Sequence, residues 1–298
     1  ERLTGSGVSS VELPMFATTL MTTLMLAATE PPEEPAPTCC SPASSRAEAI
    51  LGSAMQDQAE STRSTEVDRI LDLIDAQSAG MKTYQGRVSM ENYDDLADES
   101  ERRFGRVWLM SAADGAPVDR QAAVVFDRLV ESSGRIRERI EHWVYREGIL
   151  SDYDHEAKRL VRRRIVEAGQ KRDPLRLGEG PIPIPIGQRK SDILASFGVE
   201  IAAAVPERLA RNADGVVGLR LVPKPGTKLA ETGDMVTIDY WVRSADGEPV
   251  AIEVIEKDRD RVAIRFFEST FNAAFDDEAR KWLETPDVDA STWRIEDR

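Results

Sequence analysis

Two histidines, His142 and His155, are the first side chains in this sequence to consider for chemistry. His155 stands among Asp152, Asp154 and Glu156, and a histidine grouped with carboxylates can hold a metal ion. The same stretch separates two apolar runs, however, and aspartate is a common turn former. We therefore expect a turn here and no metal site, and we expect His142 to be a half-exposed strand residue.

The other reactive groups form no catalytic arrangement. The only cysteines, Cys39 and Cys40, are adjacent, so we expect no disulfide in the folded part, and the choice is between a lipidated Cys39 and two linker cysteines without a role. The sequence contains no nucleophile elbow, phosphate loop or dinucleotide fingerprint. Carboxylates are numerous, but no pair stands out as a glycosidase pair. We expect a binding protein that uses no cofactor, and not an enzyme.

Charge excludes some partners and leaves one basic stretch to explain. The net charge of −14 argues against a general binder of nucleic acid or of anionic membranes, because phosphate-rich partners require a positive surface. Within this acidic chain, Arg162, Arg163 and Arg164 are consecutive. They form either a solvated strand face that protects a sheet edge, or a docking patch for an acidic partner or anionic lipid headgroups.

The N-terminal part of the chain differs in composition from the rest. Residues 15–28 are apolar and of signal-peptide length, which is too short for a membrane-spanning helix. Residues 29–45 are rich in proline, glutamate, serine and threonine and cannot bury enough apolar area to fold. We expect a signal or targeting segment over residues 1–28, a disordered or partly helical linker over residues 29–61, and one folded domain over residues 62–298.

An amphipathic helix is predicted at the start of this domain. Thr65 with Asp68 resembles a capping box, and Gly80 is expected to end the helix. The apolar residues that share one face are Val67, Ile70, Leu71 and Ile74. Their spacing of i, i+3, i+4 and i+7 is that of a helix with one face covered and one face in water.

After the helix, the apolar period changes from 3.6 residues to two, which predicts strands. The predicted strands are residues 84–91, 104–110, 124–126, 135–146, 149–153, 160–166, 201–205, 216–222, 235–243, 250–256 and 262–267. Most are joined by short turns, which cannot make parallel crossovers, so an antiparallel sheet follows.

An apolar insertion interrupts the strands. Residues 181–186 alternate proline with isoleucine, so this run lacks ladder donors and stays extended, and a short helix over residues 191–197 follows. The insertion is either a lid over the mouth of a cavity or an ordinary packed crossover loop. Its apolar lid residues are Ile182, Ile184, Ile186, Leu194 and Phe197.

The order of these elements resembles the LolA-type outer-membrane lipoprotein carriers, a lipoprotein-sorting family, and their LolB-like relatives. The matching segments are the helix at residues 67–79, the strands at residues 84–90, 105–109 and 141–150, the lid region at residues 181–197, and the tail at residues 286–295. The resemblance implies a mainly β fold: an incomplete antiparallel barrel of about eleven strands, with an N-terminal amphipathic helix and a lid over an apolar cavity.

The resemblance also implies a function. It predicts a monomeric periplasmic carrier that shelters lipoprotein acyl chains, or another lipid, for transfer to the outer membrane. Its partners would be an inner-membrane releasing complex and an outer-membrane acceptor, with only transient membrane contact and no nucleic acid. The candidate cavity residues are Val88, Met90, Trp108, Phe126, Val236, Ile238 and Tyr240. The alternatives are a non-catalytic envelope sensor or assembly factor that binds a protein on the same scaffold, and a hydrolase of an envelope polymer.

In one place the sequence departs from the family. The carriers have Lys-Arg-Pro directly after the Gly-x-Leu-Trp strand, and that arginine holds the lid closed. Here Trp108 and Leu109 are followed by Met110 and Ser111. No gating arginine is therefore carried over from the family.

Overall fold

The computed structural model describes residues 45–111, 120–166, 173, 175–177, 184–209 and 213–298, with side chains from residue 62 onward. Contacts divide the chain into Glu1–Ile50 and Leu51–Arg298. Of the first unit, only the beginning of a helix is described. The predicted targeting segment, Cys39, Cys40 and the lid residue Ile182 lie outside the described residues, and the predicted domain boundaries stay predictions.

Four helices and twelve strands make up the described part of the chain. The helices are α1 (Ser45–Gly80), α2 (Lys190–Ser196), α3 (Lys228–Thr232) and α4 (Asp277–Leu283). The strands are β1 (Thr83–Asp94), β2 (Glu99–Met110), β3 (Gln121–Val130), β4 (Ile136–Arg146), β5 (Ile149–Asp154), β6 (Arg159–Arg164), β7 (Phe197–Ile201), β8 (Val216–Pro223), β9 (Met235–Arg243), β10 (Pro249–Glu256), β11 (Arg261–Phe271) and β12 (Arg294–Asp297). None of the helices in the described ranges is long and apolar enough to cross a bilayer.

All twelve strands belong to one sheet, in the order β12-β6-β5-β4-β3-β2-β1-β11-β10-β9-β8-β7. The sheet ends at β12 and β7 and does not close, so the predicted mainly β fold with an incomplete barrel is confirmed. Every neighbouring pair is antiparallel except β12 and β6. The C-terminal tail crosses the outer side of β4 and β5 before it reaches β6. Strand β12 therefore runs parallel to β6.

Helix α1 carries the predicted apolar stripe. Ile70, Leu71 and Ile74 are buried, and Gly80 ends the helix as predicted. The predicted start at Thr65 is wrong, because α1 begins at Ser45. The residues that precede Thr65 are rich in alanine, glutamate and glutamine, which favour helix, so the helix continues through them.

The sheet face on which α1 packs is called the inner face. Directly paired residues share a face, so Tyr84 with Leu109 and Ile252 with Ile264 identify it, and all four are buried in the largest apolar cluster. The same cluster contains the α1 stripe and Phe197 of β7. The core of the protein therefore lies between the inner face, α1 and the inserted segment.

The other face, called the outer face, is covered in three places. Helix α4 packs on Trp108, the loop at residues 202–209 packs on Trp241, and the C-terminal tail packs on Tyr153. The predicted strand at residues 201–205 is wrong, since β7 directly follows α2 and residues 202–206 form no element. Helix α4 and strand β12 were not predicted, because both are too short to show a period.

Candidate functional site

The lid segment, here residues 184–197, closes the inner face of the sheet. Ile184, Ile186 and Phe197 are each at most 3% exposed and belong to the large apolar cluster. Helix α2 follows closely at Lys190–Ser196, which confirms the predicted short helix. An irregular chain segment thus takes the place that a second sheet would occupy in a β-sandwich.

Arg120, the residue directly before β3, binds the lid segment. Its Nη2 donates a hydrogen bond to the carbonyl oxygen of Gly187 (2.9 Å), and its Nη1 lies 2.6 Å from Asp173 Oδ2. The Arg120 side chain is buried. Burial raises the pKa of Asp173, while the guanidinium of Arg120 opposes that rise. The ion pair is therefore needed to keep both buried charges satisfied.

Two further polar side chains satisfy the backbone of this region. Gln188 Nε2 donates to the carbonyl oxygens of Leu175 (2.8 Å) and Ile184 (3.2 Å), and its Oε1 accepts from the amide of Leu177 (3.1 Å). The hydroxyl of Tyr240 on β9 donates to the carbonyl oxygen of Pro185 (3.0 Å). Burial raises the pKa of Tyr240, so this phenol stays protonated and keeps its donor.

The lid segment is also tied to α1. The backbone amide of Lys190 donates to Asp75 Oδ1 (2.9 Å), and its Nζ lies 2.8 Å from Asp72 and 3.0 Å from Asp68. The hydrogen bonds to Asp72 and Asp68 raise the pKa of Lys190. These contacts with the ammonium are solvent-exposed and individually weak. They orient α2 on α1 and leave the burial of apolar side chains to hold the lid segment against the sheet.

Five of the seven candidate cavity residues are brought together by the structure. Val88, Met90, Phe126, Ile238 and Tyr240 are all buried in the cluster on the inner face. They come from three strands and lie on the same side of the sheet as the lid segment. Whether they line a ligand site stays a prediction.

The other two candidates lie elsewhere. Trp108 pairs across from Gln85 and packs on the outer face against α4, because Val107 and Leu109 occupy the inner positions of β2. Val236 is 47% exposed. The register of β9 and β10 shifts between the pairs Thr237–Ile255 and Met235–Glu256, so Val236 is an extra residue of β9 and turns away from the face that Ile238 and Tyr240 share.

The remaining predicted site residues are dispersed. Leu194 of the lid is exposed on α2. Arg162 forms a bidentate ion pair with Asp297 of β12 (2.7 and 3.1 Å), so β12 covers part of the predicted basic patch. Arg163 and Arg164 follow on the same strand, and the docking role of the patch is untested.

Sequence reasoning missed Arg120. Ser111 takes the place where the resembling family has its arginine, and in the structure its amide donates to the carbonyl oxygen of Lys82 (2.8 Å). The arginine that reaches the lid segment is instead Arg120, directly before the next strand, β3. An isolated arginine beside an alanine- and valine-rich strand is a weak signal, because nothing in one sequence shows that its side chain turns inward.

A buried aromatic cluster lies on the outer face around His142, which was expected to be half-exposed but is fully buried. Its Nε2 lies 2.8 Å from the carbonyl oxygen of Trp282, and its ring stacks on Tyr153 with 5.3 Å between centroids. Burial lowers the pKa of His142 to about 4 and also lowers the pKa of His155. The cluster therefore holds the C-terminal segment with neutral imidazoles.

No protein-family model matches the sequence, and no curated protein matches it. Solved structures that resemble this one include MucB bound to MucA from Pseudomonas aeruginosa, with a TM-score of 0.38, 12% identity, and coverage of 74% of this chain and 61% of that chain. A lipoprotein-sorting protein domain from Vibrio parahaemolyticus has a TM-score of 0.33 and 11% identity, and the match covers 72% of this chain and 98% of that chain. A LolA superfamily protein from Nitrosomonas europaea has a TM-score of 0.30 and 10% identity, and the match covers 71% of this chain and 96% of that chain. The similar structures thus include the family that the sequence resembles.

Proposed function

We propose that this protein is a non-catalytic periplasmic carrier that binds the acyl chains of a lipoprotein, or of another lipid, against the inner face of its sheet for transfer to the outer membrane. The observation that carries the proposal is how that face is closed. An apolar sheet surface is covered by an irregular segment, and a few polar contacts from Arg120, Gln188 and Tyr240 hold that segment in place.

Opening has a cost that a long acyl chain offsets. Exposing Ile184, Ile186 and Phe197 costs roughly 5–9 kcal/mol, at about 1.5–3 kcal/mol for each side chain. An acyl chain that takes their place contributes about 0.8 kcal/mol per buried methylene. About six to eleven methylenes are therefore needed before binding becomes favourable. The carrier should select by chain length, and short chains should not bind.

Release follows from the same balance. The closed lid segment and the bound acyl chain compete for one apolar surface, so a small change in the stability of the closed state shifts the equilibrium. The polar contacts at Gly187 and Pro185 are where such a change would act. No covalent step or cofactor is required.

The test is displacement of a fluorescent fatty acid from the purified protein by palmitate and by hexanoate, with native mass spectrometry for co-purified lipid. Palmitate should displace the probe and hexanoate should not. Tyr240→Phe removes the hydrogen bond to Pro185 and keeps the apolar wall, so probe uptake should become faster.

A matched control is Tyr93→Phe, which removes a hydrogen bond to Asp98 (2.9 Å) at an exposed site. It should leave uptake unchanged. The proposal is contradicted if neither the probe nor palmitate binds and no lipid co-purifies.

A further inference from the structure

A groove of about 960 Å³ crosses the middle of the outer face, on the side of the sheet away from the lid segment. Four arginines and two phenylalanines line it: Arg87, Arg106, Arg128, Arg265, Phe104 and Phe267. Helix α4 bounds one side, where Arg106 reaches Glu278, and the loop at residues 202–209 bounds the other, where Arg265 Nη1 reaches the carbonyl oxygen of Arg208 (3.3 Å).

Strand pairing brings these residues together from four strands. Arg87 on β1 pairs with Arg106 on β2 and with Phe267 on β11, and Phe104 pairs with Arg128 on β3. Directly paired residues project from the same face. The guanidinium of Arg128 lies 4.4 Å from the ring centroid of Phe104, and that of Arg87 lies 5.9 Å from Phe267. Arg128 and Arg87 thus each sit over an aromatic ring and also line the groove.

Gly105 shapes the floor of this groove. The register of β2 and β3 shifts there, so that Asp127 is an extra residue in β3. A Cβ atom at Gly105 would lie 1.9 Å from the carbonyl oxygen of Val125, so only glycine fits. Such bulges bend a strand and re-aim its side chains, and they are common next to binding sites.

Two arginines of the groove, Arg87 and Arg106, form ion pairs that are exposed to solvent. Arg87 lies 3.5 Å from Glu268 and Arg106 lies 3.0 Å from Glu278, and all four side chains are more than half exposed. Exposed ion pairs of this kind contribute little to stability, because water and salt screen them. A ligand carboxylate held by the fork of a guanidinium can therefore replace either glutamate.

We propose that this groove binds an extended acidic peptide of a protein partner, with its carboxylates on the arginines and an apolar side chain on the phenylalanine rings. The charge pattern favours a peptide over an anionic membrane. Asp127 and Glu138 also line the groove, and the whole chain carries a net charge of −14. A uniformly anionic surface would be repelled by these carboxylates, whereas a peptide places its negative charges at separate points. The site lies on the face opposite the lid, so it does not depend on the proposed carrier function.

The probe is a fluorescein-labelled peptide in which glutamates alternate with serine and phenylalanine, measured by fluorescence anisotropy against the full chain. Its control carries glutamine at every glutamate. We expect Arg106→Gln with Arg128→Gln to weaken binding at least about tenfold, because each substitution removes a charge-assisted hydrogen bond to the peptide. The matched variant Arg162→Gln with Arg164→Gln makes the same change of charge on β6 and should leave binding within about twofold.

A variant that binds the probe more tightly distinguishes an effect at the groove from a loss of folding, because misfolding can only weaken binding. Glu278→Gln and Glu268→Gln remove the carboxylates that compete for Arg106 and Arg87, so the double variant should bind the probe about two- to fivefold more tightly. The proposal fails if the β6 variant weakens binding as much as the groove variant. It also fails if the glutamine peptide binds equally well. Binding to phosphatidylglycerol vesicles is measured in parallel, and the proposal fails if the groove variants weaken binding to the vesicles but not to the peptide.

Discussion

The guanidinium Nη1 of Arg120 lies 2.6 Å from Oδ2 of Asp173, and both side chains are at most 16% exposed. The same guanidinium holds the carbonyl oxygen of Gly187 in the lid segment. One buried ion pair thus joins the first residue before β3 to the segment that closes the inner face. It connects the stability of the protein to the proposed opening of its apolar surface.

Arg120→Met should lower the free energy of unfolding by about 3 kcal/mol, because it leaves Asp173 buried without its partner. The double variant Arg120→Met with Asp173→Leu should recover part of that loss, since a buried apolar pair carries no unpaired charge. Urea unfolding followed by tryptophan fluorescence gives both values. Equal losses in the single and double variants would show that leaving Asp173 without its partner does not cause the loss of unfolding free energy.

Gly187→Ala should open the lid segment. Gly187 has a φ of +75°, and a Cβ there would lie 2.5 Å from Arg120 Nη2. We expect a loss of about 3 kcal/mol, from backbone strain together with crowding, and faster hydrogen exchange over residues 184–197. Gly226→Ala is the matched control, because its φ is +79° and nothing lies within 4 Å of the added Cβ. It should cost only about 1 kcal/mol, and similar losses at both sites would contradict the crowding argument.

Gly105→Ala should destabilise the sheet by about 3 kcal/mol, because its Cβ overlaps the backbone of Val125. Gly198→Ala on β7 meets only the carbonyl oxygen of Val222, at 3.8 Å, and should be close to neutral. Thermal unfolding distinguishes the two. If Gly105→Ala melted like the Gly198 variant, the close approach of β2 and β3 at the groove would be disproved.

Stability should fall as the pH drops from about 6.5 to about 4. Burial lowers the pKa of His142 from 6.5 to about 4, so below pH 6.5 the unfolded chain takes up a proton that the folded protein resists. The full difference corresponds to about 3 kcal/mol, and His155 acts in the same direction. His142→Phe keeps a ring against Tyr153 and should flatten the dependence of the unfolding free energy on pH. An unchanged slope would mean that other groups cause it.

Much of the fold follows from local patterns. The alternation over residues 235–243 predicted strand β9 with the bounds that the structure has, and the i, i+3, i+4, i+7 stripe predicted the buried side of α1. The proline–isoleucine run predicted an apolar segment that cannot join the sheet, and Ile184 and Ile186 are buried outside it. Periodicity works in these places because each element must turn one side toward the core.

Other features depended on how the strands meet. Period two sorts a strand into two faces but does not say which one is inner, so Trp108 was grouped with Val88 and Met90 although strand pairing places it on the outer face, against α4. Local bulges reverse the alternation, as at Val236. No local pattern links Arg120 to Gly187.

The sequence alone therefore determined the mainly β fold, the α1 stripe and most strands, because burial imposes a local period on each element. Tertiary structure decided which face is closed, which arginine holds the lid segment, and that Arg87, Arg106, Arg128 and Arg265 share one groove. These relationships join residues up to 178 positions apart, from Arg87 to Arg265, and they depend on strand order and register. Both are set by pairing between distant segments, which leaves no trace in the spacing of residues along the chain.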